Sequence, residues 1–171
     1  AYIKEKFPEI LLIADAKRGD IGNTAKMYAR AIFEQFQFDA VTLAPYMGQD
    51  SIDPFLEYQD KWVIVLGVTS NSGASDFQLI ETVNGQPVFM EVIKKGITWS
   101  DCNQLIFVAG ATRPEMLSQI RKIAPDHFLL VPGIGAQGGS LDEVATHGIN
   151  KQCGILVNSS RGIIYAGNDD H

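Results

Sequence analysis

Histidine and cysteine are scarce. The 171 residues include three histidines and two cysteines. His127, His147 and His171 stand far apart, and Cys102 and Cys153 lack the close spacing of a zinc or redox motif. No metal centre is expected from them, and unpaired thiols fit a reducing cytoplasm. Long apolar runs are missing too. None approaches the ~20 residues that cross a bilayer, so no membrane partner is expected. Basic clusters are also absent. A net charge of −6 argues against a nucleic-acid partner. It leaves room for a local basic pocket that holds an anionic small molecule. There is no low-complexity tract, linker or long repeat, so residues 1–171 read as a single domain.

What is present is an alternation. Short aliphatic runs stand at ILLIAD (10–15), AVTLAP (40–45), WVIVLGV (62–68), QLIFVAG (104–110), HFLLVPG (127–133) and GILVNS (154–159). They are nearly continuous in Val, Ile, Leu and Phe, which suits parallel strands buried on both faces. Helical patterns lie between them. Thr24 to Phe36 carries Met27, Tyr28, Ala31, Ile32 and Phe36 near helical spacing, with Asn23 as N-cap. Thr112 with Glu115, and Ser140 with Glu143, fit capping boxes, and Gly148 stands where a C-terminal cap belongs. A helix is expected over Gln86 to Lys95. Pro54 falls early enough in 51–58 for a first turn. The longest irregular stretch, 69–86, is long enough to suggest a functional loop, with Gly73 as a hinge.

Six βα units in a row allow an open doubly wound sheet or a closed (β/α)8 barrel. Six strands are two short of a barrel. The chain starts on Ala1 and enters a strand-like run almost at once. Two absent leading strands would make ILLIAD the third barrel strand and GILVNS the eighth, with both ends of the domain trimmed.

Three stretches carry chemistry. Gly133-Ile134-Gly135-Ala136-Gln137-Gly138 matches G-x-G-x-x-G between a strand and a helix. A dinucleotide site is disfavoured, because the motif sits in the fifth unit and no acid closes the next strand, Ile155 to Asn158. The same backbone physics suits a phosphate, which (β/α)8 barrels commonly hold after their last two strands. PGIGAQGG (132–139) and NSSRGI (158–163) are those loops, and Arg161 adds a bidentate donor. The third stretch is IADAKRGDIGNT (13–24). On a regular strand Asp15 and Lys17 share a side, and Asp20 lies past the strand end, at the face where barrel enzymes do chemistry. Carboxylates on either side of a lysine stabilise its ammonium form.

The pattern D-x-K-x-x-D-I-x-x-T, here Asp15, Lys17, Asp20, Ile21 and Thr24, resembles the signature of the orotidine 5'-monophosphate decarboxylases. TLAPYMGQDSIDPF (42–55), VTSNSGASDFQ (68–78), VPGIGAQGG (131–139) and VNSSRGIIYA (157–166) continue the resemblance in order, most closely to the longer bacterial-type subfamily. The resemblance implies a (β/α)8 barrel, a homodimer with shared active sites, and no metal or organic cofactor. It implies conversion of orotidine 5'-phosphate to uridine 5'-phosphate and carbon dioxide. Lys17 would protonate C6 of the pyrimidine, and Asp15 would orient it beside the substrate carboxylate. Asp20, Ile21 and Thr24 would reach the neighbouring subunit's site. Ser70 would meet the pyrimidine edge and Gln137 would bridge pyrimidine and phosphate. Arg161 would clamp the phosphate, with Pro132, Gly135 and Ser160 lining the same loops. The family also uses an Asp and a Lys from its first two strands, which a chain starting at the third strand lacks. The nearest rival is 3-keto-L-gulonate 6-phosphate decarboxylase, which shares D-x-K-x-x-D but needs magnesium; SNSGASDFQ and GIGAQGG favour the nucleotide. A non-catalytic phosphate-binding barrel fragment is the rival from another class.

Overall fold

The computed structural model describes residues 2–135 and 137–167, so Ala136 of the glycine-rich loop and His171 lie outside the described residues. Six strands form one sheet: β1 (Ile13–Arg18), β2 (Ala40–Leu43), β3 (Trp62–Val68), β4 (Leu105–Ala109), β5 (Phe128–Pro132) and β6 (Ile155–Asn158). Their order in the sheet is their order in the chain. Pairings β1/β2, β2/β3 and β5/β6 are parallel. A doubly wound sheet reverses its strand order at a switch point. This one does not, so the winding is that of a β/α barrel.

The chain divides into two compact units, residues 1–66 with 94–106 and residues 67–93 with 107–171. In the first, β2 is wholly buried, as a four-residue aliphatic run with one threonine should be when covered on both faces. The same unit holds the short α1 (Tyr2–Lys6) and, packed on each other, α2 (Gly22–Arg30) and α3 (Asp53–Leu56), with Pro54 in the first turn of α3 as expected. The buried stripe of the first long helix is Ala25, Ala29, Ile32 and Phe33; Met27 and Phe36 face outward. Small alanines let the helix approach the sheet, and a wide π-helical turn at Ala31–Gln35 rotates Phe33 inward. There its ring meets Phe55 edge-on at 6.2 Å and Tyr58 at 5.1 Å.

The second unit holds α4 (Ala74–Phe77), α5 (Val88–Gly96, whose last turn belongs to the first unit), α6 (Pro114–Ile123), α7 (Leu141–Gly148) and the short α8 (Ser160–Ile164). Arg121 fixes its amino-terminal edge. It donates to the carbonyls of His127, Gly148 and Gly154 at 2.6 Å each and of Ala124 at 3.2 Å. Those carbonyls end α6 and α7 and precede β5 and β6, so one guanidinium ties two helix ends to two strand entries; the Gly154 carbonyl also accepts from Leu129 N–H at 2.9 Å. Burial pushes the Arg121 pKa down, against an upward pull from Asp126 and Cys153. Among the described residues, no helix is long and apolar enough to cross a membrane.

Several ends differ from expectation. The expected cap Asn23 lies inside α2, whose N-cap is Ile21. The N-cap of α6 is Arg113, with Pro114 in the first turn, and Thr112 instead donates to the Ser70 carbonyl at 3.2 Å. Ser140 does cap α7, accepting from Glu143 N–H. Gly148 is the last helical residue rather than a left-handed cap; a Cβ there would come within 3.2 Å of Ile155.

The first expected strand starts three residues late. Ile10 and Leu11 are about half exposed and lie outside β1. The chain is tied to β2 only from Leu12 onward. Its N–H donates to Asp39 Oδ2 at 2.7 Å, and its carbonyl accepts from Asp39 and Ala40 N–H at 2.9 and 3.1 Å. Asp39 also pairs with Lys4 at 2.7 Å. Burial raises the pKa of Asp39, but the hydrogen bonds from Lys4 and Leu12 and the charges of Lys4 and Lys61 outweigh it, so the net shift is downward. A carboxyl lowered on folding adds stability above its unfolded pKa of ~3.9, and that stability is lost as pH falls through the folded value. Asp39→Asn is therefore expected to be about 1 kcal/mol less stable at neutral pH. The gap should close as acid protonates the wild-type carboxyl, measured by urea unfolding of the complete protein across that range.

Candidate active site

The end of β1 is irregular where the acidic and basic residues fall. Ile13 pairs with Ala40 and Ala14 with Val41, but the next pair is Arg18 with Leu43. Asp15, Ala16 and Lys17 thus stand opposite the single residue Thr42. A bulge in a parallel pair is rare, and it re-aims side chains. Lys17 takes φ +46°, in the left-handed region that costs a residue with a Cβ about 1–2 kcal/mol. Its N–H donates to Thr42 Oγ1 at 2.9 Å. Its ammonium reaches back to Asp15 Oδ1 at 2.6 Å, and Thr42 Oγ1 donates to the same oxygen at 3.0 Å. Lys17 and Asp15 side chains are 51% and 64% exposed. A pair so open to water contributes little to stability.

Asp20, Ile21 and Thr24 follow in the turn into α2. Asp20 Oδ1 accepts the N–H of Ile21 at 2.8 Å, and Ile21 is about half exposed. Thr24 is exposed on the first turn. Among the described residues the ion pair of Lys17 is with Asp15 alone, so the expected lysine between two carboxylates is met on one side only.

In the second unit, Ser70 lies just past β3, and its Oγ donates to Gln137 Oε1 at 2.6 Å, across 67 residues of sequence. Thr112 holds the Ser70 carbonyl. The 69–78 segment is latched by its own side chains: Gln78 accepts the N–H of Thr69 at 2.8 Å and donates to its hydroxyl at 2.9 Å. Gly73 has φ −63°, which any residue adopts, so nothing in its backbone marks a hinge.

The glycine-rich loop differs in detail from a cradle of free N–H groups. Gly135 N–H donates to Gly139 O, Gly138 N–H to Gly135 O, and Gly139 N–H to Gly133 O, at 2.7–3.0 Å. The loop is thus self-braced, with Pro132 ending β5 and accepting from Ala111 N–H at 2.9 Å. Open donors remain at the first turn of α8, where Ser160 and Arg161 are exposed, and in the Arg161 guanidinium, which has no ion pair among the described residues. No group of three or more His, Cys, Asp or Glu among the described residues could hold a metal ion.

Sequence reasoning gave Thr42 and Gln78 no role in the site and read Thr112 only as a helix cap. Thr42 had a signal, a lone hydroxyl in an otherwise aliphatic buried strand. Thr112 and Gln78 had none beyond their nearness to loop residues.

A family model for orotidine 5'-phosphate decarboxylase / HUMPS matches residues 1–171. The chain belongs to that family. An orotidine 5'-phosphate decarboxylase of Bacteroides fragilis is 60% identical over 164 residues, which is 96% of this chain and 60% of that protein. One from Porphyromonas gingivalis is 55% identical over 169 residues, 99% of this chain and 61% of its own length. This member thus spans about 60% of the curated relatives it matches. Among solved structures, Leishmania donovani UMP synthase superposes with a TM-score of 0.87 at 41% identity, covering 91% of this chain and 35% of that one. The Leishmania donovani OMP decarboxylase gives 0.85 at 39%, covering 91% and 61%.

Gly133 connects the two halves of the Ser70–Gln137 pair. It has φ +99°, and a Cβ on it would lie 3.0 Å from Ser70 Cβ and 3.1 Å from Gln137 Oε1. Gly133→Ala is expected to lower the unfolding free energy by roughly 1–3 kcal/mol, from strain and overpacking together. Denaturant unfolding of the complete protein checks it.

Proposed function

We propose that this chain carries the catalytic lysine and the phosphate loops of an orotidine 5'-phosphate decarboxylase. It contributes six consecutive βα units of the barrel, and the enzyme works as a cytoplasmic homodimer. The observation that carries the reading is Lys17 in a strained backbone conformation, bound to Asp15 and exposed at a strand's carboxyl end. Stability does not explain that arrangement, and strain of this kind is a mark of functional sites. Family membership over the whole chain supports the substrate.

The chemistry follows from the charge. Loss of carbon dioxide from an sp² carbon leaves a localised electron pair with no adjacent π-system to spread it. A positioned ammonium stabilises that pair as it forms and then gives C6 a proton, so one group serves as electrostatic stabiliser and general acid. Asp15 fixes the ammonium before the reaction, which removes the reorganisation that water would need. Its own negative charge, close to the substrate carboxylate, favours departure of neutral carbon dioxide. Ser70 and Gln137 read the pyrimidine, and Arg161 grips the phosphate. Binding energy gathered there raises the rate to the extent that it is realised in the transition state. Asp20, Ile21 and Thr24 reach the second subunit's site, a role that the half-exposed Ile21 suits.

The test is the ultraviolet absorbance of orotidine 5'-phosphate with the complete protein and a chelator. A metal-independent loss of signal is expected. No turnover there, with magnesium-dependent turnover of 3-keto-L-gulonate 6-phosphate, would overturn the reading. Arg161→Ala should raise KM about 10- to 100-fold, the worth of charge-assisted bonds to a phosphate, with a smaller change in kcat.

A further inference from the structure

We propose that Thr42 is a positioning residue for the decarboxylation, acting through the backbone of Lys17 and the carboxylate of Asp15. This rests on the decarboxylase reading above and adds to it a residue that touches neither substrate nor product. Thr42 is fully buried on β2, the one hydroxyl in the run AVTL. A buried hydroxyl is costly unless it is hydrogen-bonded, so its partners account for its presence.

Those partners are the parts of the strand that the bulge releases. Between the pairs Ala14–Val41 and Arg18–Leu43, three residues of β1 face one residue of β2. A regular ladder would give Lys17 N–H a backbone carbonyl. Thr42 Oγ1 takes that place at 2.9 Å. A hydroxyl has one proton to donate. Asp15 Oδ1 lies 3.0 Å away and the Ala14 carbonyl 3.4 Å away, so the proton goes to the carboxylate. Asp15 Oδ1 then accepts from both Thr42 and the Lys17 ammonium. One buried side chain therefore sets the left-handed backbone from which the lysine springs and the carboxylate that aims its tip. Both lysine and aspartate are otherwise open to solvent, with only their mutual contact to hold them. The aim of the ammonium depends on a residue that is itself rigid.

The hydroxyl can be removed without changing shape. Thr42→Val keeps the β-branch and deletes both bonds; Thr42→Ser keeps both bonds. In the complete protein, Thr42→Val is expected to lower kcat about 10- to 100-fold, the worth of a hydrogen bond to a charged group. KM for orotidine 5'-phosphate and the inhibition constant of uridine 5'-phosphate should change less than about threefold, because the binding loops are untouched. Thr42→Ser should restore kcat to within about threefold of wild type. A merely structural threonine would instead give a valine variant with lower thermal stability and unchanged kcat per folded site, and that result overturns the proposal. Equal losses in the serine and valine variants also overturn it. Thr42→Ala replaces valine if valine prevents folding, and if neither hydroxyl-free variant folds, Thr42 is a folding residue and the proposal fails. Wild type inactive on orotidine 5'-phosphate overturns the functional reading itself; wild type active with Thr42→Val unimpaired overturns only the role of Thr42.

Discussion

The hydrogen bond from Lys17 N–H to Thr42 Oγ1 closes a gap that the β1 bulge opens in the sheet. Much else in the first unit follows from it. The bulge lets Lys17 enter the left-handed region, and the turn back toward Asp15 brings the ammonium to 2.6 Å from the carboxylate. The strain is of the order of 1–2 kcal/mol, more than an exposed ion pair returns in stability. The surrounding strand must therefore enforce it. On one side Leu12, Asp39 and Ala40 anchor the start of β1; on the other Ala44 N–H donates to Arg18 O at 2.7 Å. The irregular residues lie between two fixed points.

The second unit divides its contacts between the two ends of its strands. At the amino ends of β5 and β6, Arg121 gathers four carbonyls from two helix ends and two strand entries. At the carboxyl ends stand Ser70, the braced glycine loop with Gln137, and Arg161. Barrel enzymes divide their faces in this way, with stabilising contacts below and chemistry above. Two arginines mark the contrast: Arg121 is half-buried with each guanidinium nitrogen engaged, whereas Arg161 is exposed and makes no ion pair among the described residues. The phosphate site proposed above calls for the second kind.

Much of this was legible in sequence, for reasons that differ by element. Strands such as AVTL and LIFVA are short, aliphatic and buried on both faces, so composition alone located them. The Ser140 cap of α7 was readable because a cap is a local contact. The start of β1 was not, because Ile10 and Leu11 continue the aliphatic run and only the distant Asp39 ends the pairing at Leu12. The true face of α2 was hidden for a similar reason: Ala25 and Ala29 are buried for their smallness, which hydrophobic periodicity underweights, while the larger Met27 points outward. Asp15 and Lys17 were visible as charges at a strand's end. The bulge that aims them was not, since it exists only in the register against β2. The internal bracing of Gly135, Gly138 and Gly139 likewise depends on loop geometry that a G-x-G-x-x-G spacing does not specify.

The most direct test of the role given to Lys17 is the turnover of Lys17→Gly in the complete protein. Glycine keeps the left-handed backbone without strain and deletes only the ammonium-bearing side chain. Decarboxylation of orotidine 5'-phosphate is expected to fall by more than about 10²-fold, since general-acid and electrostatic contributions are lost together. Turnover near that of the wild type would contradict the assignment of the strained lysine to the chemistry.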